Sequence, residues 1–149
     1  MKDGSKRLEQ TLVSLFGSQK LSVLSTYSKG QPYASLVAFA ATQDLKNFFF
    51  ATGRTTRKFA NVLENPRIAM LVDNRSNRES DFEEACAATI LGQAGELSGQ
   101  GKKNRLKLYL EKHPYLEEFA TSAQSAIIEV RVQSIVLVER FEETATLEF

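Results

Sequence analysis

Leu8, Leu12, Leu15 and Phe16 recur at three- and four-residue intervals, which predicts an amphipathic helix over about residues 4–16 with Gly17 as its stop. A short apolar run follows at Leu21, Val23 and Leu24, with Ser and Thr between. Ser28-Lys29-Gly30-Gln31 has turn chemistry, so the next run is expected to fold back as a hairpin strand. In that strand Tyr33, Ser35, Val37 and Phe39 share one face, and Ala34, Leu36, Ala38 and Ala40 share the other. Both faces are apolar or small, the pattern of a strand covered on both sides. Gln43-Asp44 marks a further turn, and Phe48, Phe49 and Phe50 open a strand that runs into Ala51-Thr52-Gly53. Phe59, Val62 and Leu63 then fall at helical spacing, in a helix ended by Asn65-Pro66.

The second half alternates more plainly. Ile68, Met70 and Val72 predict a strand, and the polar stretch Asn74 to Glu84 reads as a loop. Ala85 to Leu97 reads as a long strand in which Gly92 and Gly95 permit a bulge. Leu106, Tyr109 and Leu110 predict a helix, interrupted at His113-Pro114 and resumed from Tyr115 to Ala120. Ile128, Val130 and Val132 alternate in a last strand, extended by Ile135 to Val138, and Glu142 to Phe149 reads as frayed. The sum is about six strands and three or four helices. The predicted fold class is mainly β (α+β): a six-stranded antiparallel barrel with peripheral helices, because no regular strand–helix alternation is present. One domain over residues 1–149 is expected, with its barrel at about 20–140.

Composition narrows the chemistry. With 19 Lys and Arg against 18 Asp and Glu, no global positive field exists to hold nucleic-acid phosphates. No run of about eighteen apolar residues predicts a membrane span, and residues 1–10 lack the apolar stretch of a signal peptide. The lone Cys86 cannot close an internal disulfide, so a reducing cytoplasm is expected. One cysteine and one histidine, His113, far apart in sequence, make neither a zinc site nor a Cys–His pair, and no metal is expected. Cys86 reads as a small buried hydrophobe and His113 as a helix-end residue.

The stretch richest in chemistry is Phe50-Ala51-Thr52-Gly53-Arg54-Thr55-Thr56-Arg57-Lys58. A strand ends, a glycine allows a sharp turn, and hydroxyls and three cations precede a helix. A helix amino end presents free N–H groups and a favourable dipole to an anion. Arg57 could grip phosphate oxygens in a fork, Lys58 adds a point charge, and Thr55 or Thr56 could donate a hydroxyl or cap the helix. An ordinary helix cap explains the same residues without a ligand, and the spacing matches neither a P-loop nor a dinucleotide fingerprint.

The run Lys46 to Asp73, KNFFFATGRTTRKFANVLENPRIAMLVD, resembles the pyridoxamine 5'-phosphate oxidase-like family of FMN-binding split β-barrels. The hairpin LSVLSTYSKGQPYASLVAFA, the strand ATILGQAGEL and the order of the elements agree with it. The resemblance covers about Leu21 to Leu97 and, more loosely, the C-terminal helices and strand. It implies that FMN is the cofactor. Backbone groups at about Ser35, Leu36, Val37 and on to Phe39 would line its ring, with Ala51 and Thr52 beside the flavin. Arg57 and Lys58 match the family's phosphate-binding pair, with Thr56 next to them. It also implies a homodimer whose partner chain completes the cleft, with Asn74, Arg75 and Thr89 to Gln93 as weaker candidates for that role.

The departures bear on the reaction. The family's true oxidase carries a C-terminal motif of paired arginines and a histidine that grips pyridoxamine phosphate, whereas this chain reads VERFEETATLEF there. Where the oxidase has a flavin-contacting glutamine, this chain has Ala87 or Ala88. The resemblance therefore implies a flavoprotein of the general branch, moving two electrons between a reduced nicotinamide and a small acceptor. Tyr27, Tyr33 and His113 are the phenolic or near-neutral side chains on offer, and none reads as a convincing general acid or base. The alternatives are a non-catalytic flavin carrier or redox sensor, or a split barrel that takes haem or the deazaflavin F420. His113 is the one imidazole available to a haem iron.

Overall fold

The computed structural model describes the backbone from Lys2 to Phe149 and the side chains from Gly4. Among the described residues seven strands are present: β1 Leu21–Ser28, β2 Gln31–Ala41, β3 Asn47–Gly53, β4 Arg67–Asp73, β5 Cys86–Glu96, β6 Ser125–Glu139 and β7 Glu143–Glu148. Five α-helices accompany them: α1 Lys2–Ser18, α2 Arg57–Glu64, α3 Asp81–Glu84, α4 Gly99–Lys112 and α5 Glu117–Thr121. All strand pairs are antiparallel, in the order β3-β2-β1-β4-β5-β6-β7. A further pairing of β3 with β6 closes the first six into a barrel. The length of β6 explains both contacts: Ser125 to Arg131 pairs with β3, and Ser134 to Glu139 is free to take β7.

The barrel is filled from the strands and from α1. Phe39, Phe48, Phe49 and Phe50 are fully buried. Leu12, Leu15 and Phe16 lower the apolar stripe of α1 onto them, with Phe16 edge-on to Phe48 at 4.8 Å between ring centres. The interior faces of the strands follow the expected alternation, with Ile68, Met70, Val72, Ile128, Val130 and Val132 all buried.

Four details depart from the sequence reading. The segment expected to fray is β7, because the second half of β6 offers it an open edge. The polar loop contains the short helix α3. On α2 Leu63 points out to solvent, and the buried third position is Asn61, whose Nδ2 donates to Thr26 Oγ1 at 3.0 Å. Finally, β2 is not covered throughout: only its C-terminal part is buried, and Gln31 to Ala34 and Leu36 are exposed.

The C-terminal end of helix α4 is latched to β2 and α1 by three polar side chains. Tyr109 Oη donates to Ala38 O at 2.9 Å, and its pKa is pushed up to about 12 by burial. His113 Nε2 lies 2.7 Å from Phe39 O, so that nitrogen carries the hydrogen, and burial lowers the pKa of the ring. Lys112 Nζ donates to Phe16 O at 2.7 Å and sits 3.9 Å from the centre of the Phe39 ring. Both contacts favour the charged amine, yet burial pulls its pKa down to about 8 from 10.5. Between these two values the unfolded chain holds more protons than the folded one, so stability should rise with pH across that window and fall as pH drops towards 8. A change of about 1–2 kcal/mol is expected once partial exposure is allowed for. Urea unfolding from pH 7.5 to 10 should show this rise, and Lys112→Met should remove it.

Candidate functional site

The end of β3 and the start of α2 form a tight corner. Thr56 is the N-cap: its Oγ1 accepts from Phe59 N–H at 3.3 Å and donates to Gly53 O at 2.8 Å. Thr52 Oγ1 lies 3.0 Å from the same hydroxyl and must donate to it, since that hydrogen is already given away. The Thr56 hydroxyl is thus spent on the corner, and the exposed Thr55 carries the hydroxyl left facing the cleft. Ala60 N–H takes the Thr56 carbonyl, so the amide hydrogens of Arg57 and Lys58, the first two helical residues, have no intrahelical acceptor.

The three cations of this segment divide. Arg54 is drawn away, forming a two-pronged ion pair with Glu96 at 3.2 and 2.7 Å and a bond to Ala123 O at 3.3 Å. Lys58 is half-buried and does not line the cleft. Arg57 remains at the mouth, exposed, with its guanidinium carbon 5.5 Å from the centre of the Tyr33 ring. The cleft beside it measures about 600 Å³ and runs between α2 and the hairpin tip, with Lys29, Gln31 and Tyr33 on one wall and Thr55, Arg57 and Glu64 on the other.

Next to this corner β2 leaves an edge open. Its pairing with β3 covers only Phe39 to Ala41, so Gln31 to Ala38 have no strand neighbour on that side, and Tyr109 Oη takes the carbonyl of Ala38. Phe39 N–H points to β1, bonding Lys20 O, and the β1–β2 register is regular through Leu21↔Ala38. By alternation the backbone N–H and C=O of Ala34 and Leu36 point to the open edge. Ser35 lies between them, and its Oγ is buried without a hydrogen-bond partner among the described residues. Such an orphan costs about 1–3 kcal/mol unless something outside the chain satisfies it.

The remaining candidates are distributed as follows. Val37, Ala51 and Thr52 are buried, and the same alternation turns the backbone polar groups of Val37 to β1, while Leu36 points its side chain to the outer face, 63% exposed. Arg75 is not brought to the Arg57 corner: it pairs with Asp73 at 3.1 Å and lines a different cleft of about 620 Å³ with Phe82, Ala87 and Phe141. Asn74 Oδ1 accepts from Cys86 N–H, tying the β4–β5 connection. At the position expected to hold a glutamine, Ala87 lines that second cleft and Ala88 is fully buried. Thr89 pairs with Leu71 on the outer face. The sequence reading missed the hairpin tip as a wall of the site; its signal was Ser28-Lys29-Gly30, whose left-handed Lys29 and Gly30 turn the chain back over α2.

The donor set suits a phosphate ester with a polar-edged ring. Two free amides, one guanidinium and a hydroxyl converge at the α2 corner, and an open strand edge with an unsatisfied hydroxyl lies beside them. Among the described residues no cluster of His, Cys, Asp and Glu could hold a metal, and no helix is long and apolar enough to cross a membrane.

Comparison with known proteins gives the family and the fold. A family model described as pyridoxamine 5'-phosphate oxidase matches residues 8–139. A Schizosaccharomyces pombe protein named as a pyridoxamine 5'-phosphate oxidase homolog is 29% identical over 130 residues, covering 78% of this chain and 68% of that one. Among solved structures, a heme binding protein from Mycobacterium smegmatis superposes with a TM-score of 0.83 at 15% identity. The match takes in 94% of this chain but 57% of that protein's length. An FAD-binding protein from Mesorhizobium loti superposes at 0.67 with 18% identity, over 86% of this chain and 91% of that one. At such identities these likenesses show a shared fold, which carries both haem-binding and flavin-binding members.

Proposed function

The chain belongs to the pyridoxamine 5'-phosphate oxidase family, and on that premise we propose that it is an FMN-binding flavoprotein that moves two electrons between a reduced nicotinamide and a small acceptor. The observation that carries the reading is the adjacency of the α2 corner to the open edge of β2. The amides of Arg57 and Lys58, the Arg57 fork and the Thr55 hydroxyl hold the phosphate. The backbone of Ala34 and Leu36 and the Ser35 hydroxyl meet the polar edge of the ring. FMN, when bound, supplies the hydride chemistry itself. The chain's part is to fix the phosphate and orient the ring, and Glu64, held by Ser28 Oγ at 2.6 Å, is kept at the hairpin tip.

The namesake reaction is not part of the proposal. Residues 143–148 form β7 against the second half of β6. Imidazole-ligated haem is disfavoured by the same latch that holds α4: His113 is 6% exposed and commits Nε2 to Phe39 O. Anaerobic addition of excess reduced nicotinamide to the FMN-loaded protein tests the reaction. Bleaching of the bound flavin supports the oxidoreductase. Flavin that stays oxidised leaves a carrier or sensor.

A homodimer is part of the same proposal. Leu36, Val23 and Leu71 stand in one cross-strand row on the outer face of the barrel, and Leu36 and the nearby Leu21 are more than half exposed. A second copy would cover this apolar row. Sedimentation equilibrium should give twice the chain's 16.6 kDa, and Leu36→Glu should return the monomer mass.

A further inference from the structure

Resting on the flavin-phosphate reading above, we infer that Tyr33 is the positioning residue that makes the cleft select a phosphorylated flavin over an unphosphorylated one. Arg57 is a long, exposed side chain with no ion pair among the described residues, and its guanidinium is held by the face of Tyr33 at 5.5 Å. Left alone, such a side chain samples many rotamers, and ordering it on each binding event weakens the grip. Stacking on a rigid ring removes most of that freedom in advance and leaves the edge of the guanidinium, with its N–H groups, open to an anion.

Tyr33 has a second effect through charge. The same cleft contains Lys29 and Glu64. Glu64 is the carboxylate that could capture a loose Arg57 and replace the phosphate. Glu64 accepts from Ser28 Oγ at 2.6 Å, and the Arg57 guanidinium lies against the Tyr33 ring and forms no pair with that carboxylate. Tyr33 touches the phosphate only through Arg57. Its removal should therefore cost binding of ligands that carry the phosphate and spare those that lack it. Tyr33 is 39% exposed, so its truncation opens no cavity in the barrel core.

Titrations of riboflavin and of FMN against the full chain, read by quenching of flavin fluorescence, test this. The parent protein should bind FMN more tightly than riboflavin. Tyr33→Ala should raise the FMN dissociation constant about 5- to 30-fold and leave that of riboflavin unchanged. Tyr33→Phe, which keeps the ring face, should stay within about twofold of the parent. An equal loss for both flavins would make Tyr33 a plain wall of the cleft and overturn the inference, as would an unchanged FMN constant in Tyr33→Ala. If the parent protein itself binds neither flavin, or does not prefer FMN, the phosphate reading falls first and this inference with it.

Discussion

Alanine at both Arg57 and Lys58 is expected to raise the dissociation constant for FMN at least about 100-fold, since charge-assisted hydrogen bonds contribute about 1.5–3 kcal/mol each. The two positions should not share the loss equally. Arg57 stands at the cleft mouth against Tyr33, whereas Lys58 is half-buried and does not line the cleft. Arg57→Ala alone should produce most of the effect, and Lys58→Ala a few-fold change through the long-range charge. Arg54→Ala should leave the constant nearly untouched, because that guanidinium is committed to Glu96 and Ala123. Isothermal titration with FMN on the three single variants and the double variant measures the series. Equal effects at all three cations would mean a diffuse field and no built phosphate site.

The second large effect concerns the barrel itself. Gly92→Ala should destabilise the fold by about 3 kcal/mol, a fall of about 6–12 °C in melting temperature for a domain of this size. A Cβ at this position would lie 2.5 Å from Arg131 O and 2.8 Å from Val130 Cγ1. The carbonyl belongs to β6, the strand that closes the barrel, at the point where the β5–β6 register shifts between Leu91 and Gly92. It cannot retreat without breaking ladder bonds on a strand that is paired with both β3 and β5. Gly95→Ala is the control: nothing lies within 4 Å of the added methyl group. Its melting temperature should match the parent within about 2 °C, the span of about 0.5 kcal/mol.

These two glycines illustrate what periodicity and composition can and cannot carry. The sequence treats Gly92 and Gly95 alike, as bulge positions in one strand. Only the register with β6 separates them. The same limit applies at the site. The corner at Gly53 to Lys58 was legible because strand end, turn and helix cap are local, and each has its own residue chemistry. The division of labour among Arg54, Arg57 and Lys58 was not, because it depends on Glu96 and Tyr33, which lie more than twenty residues away in the chain. The strand β7 was illegible for a related reason. Glu-Glu-Thr-Ala-Thr-Leu-Glu has little apolar content, and it becomes a strand only because β6 outruns its partner β3. The latch of Tyr109, Lys112 and His113 likewise needs carbonyls of β2 and α1, so the sequence shows a helix end and the fold shows a clamp.

If the α2 corner and the open edge of β2 together hold FMN, the purified protein retains it. Retention is tested most directly by incubating the purified protein with excess FMN, desalting it, recording the visible spectrum, and chromatographing what acid releases. A flavin spectrum is expected, with about one FMN recovered per chain, matching one α2 corner in each. A colourless protein that retains no flavin would contradict it and reduce the Thr55 to Lys58 segment to a helix cap. A haem or deazaflavin spectrum in its place would contradict it equally, by giving the same barrel a different ligand.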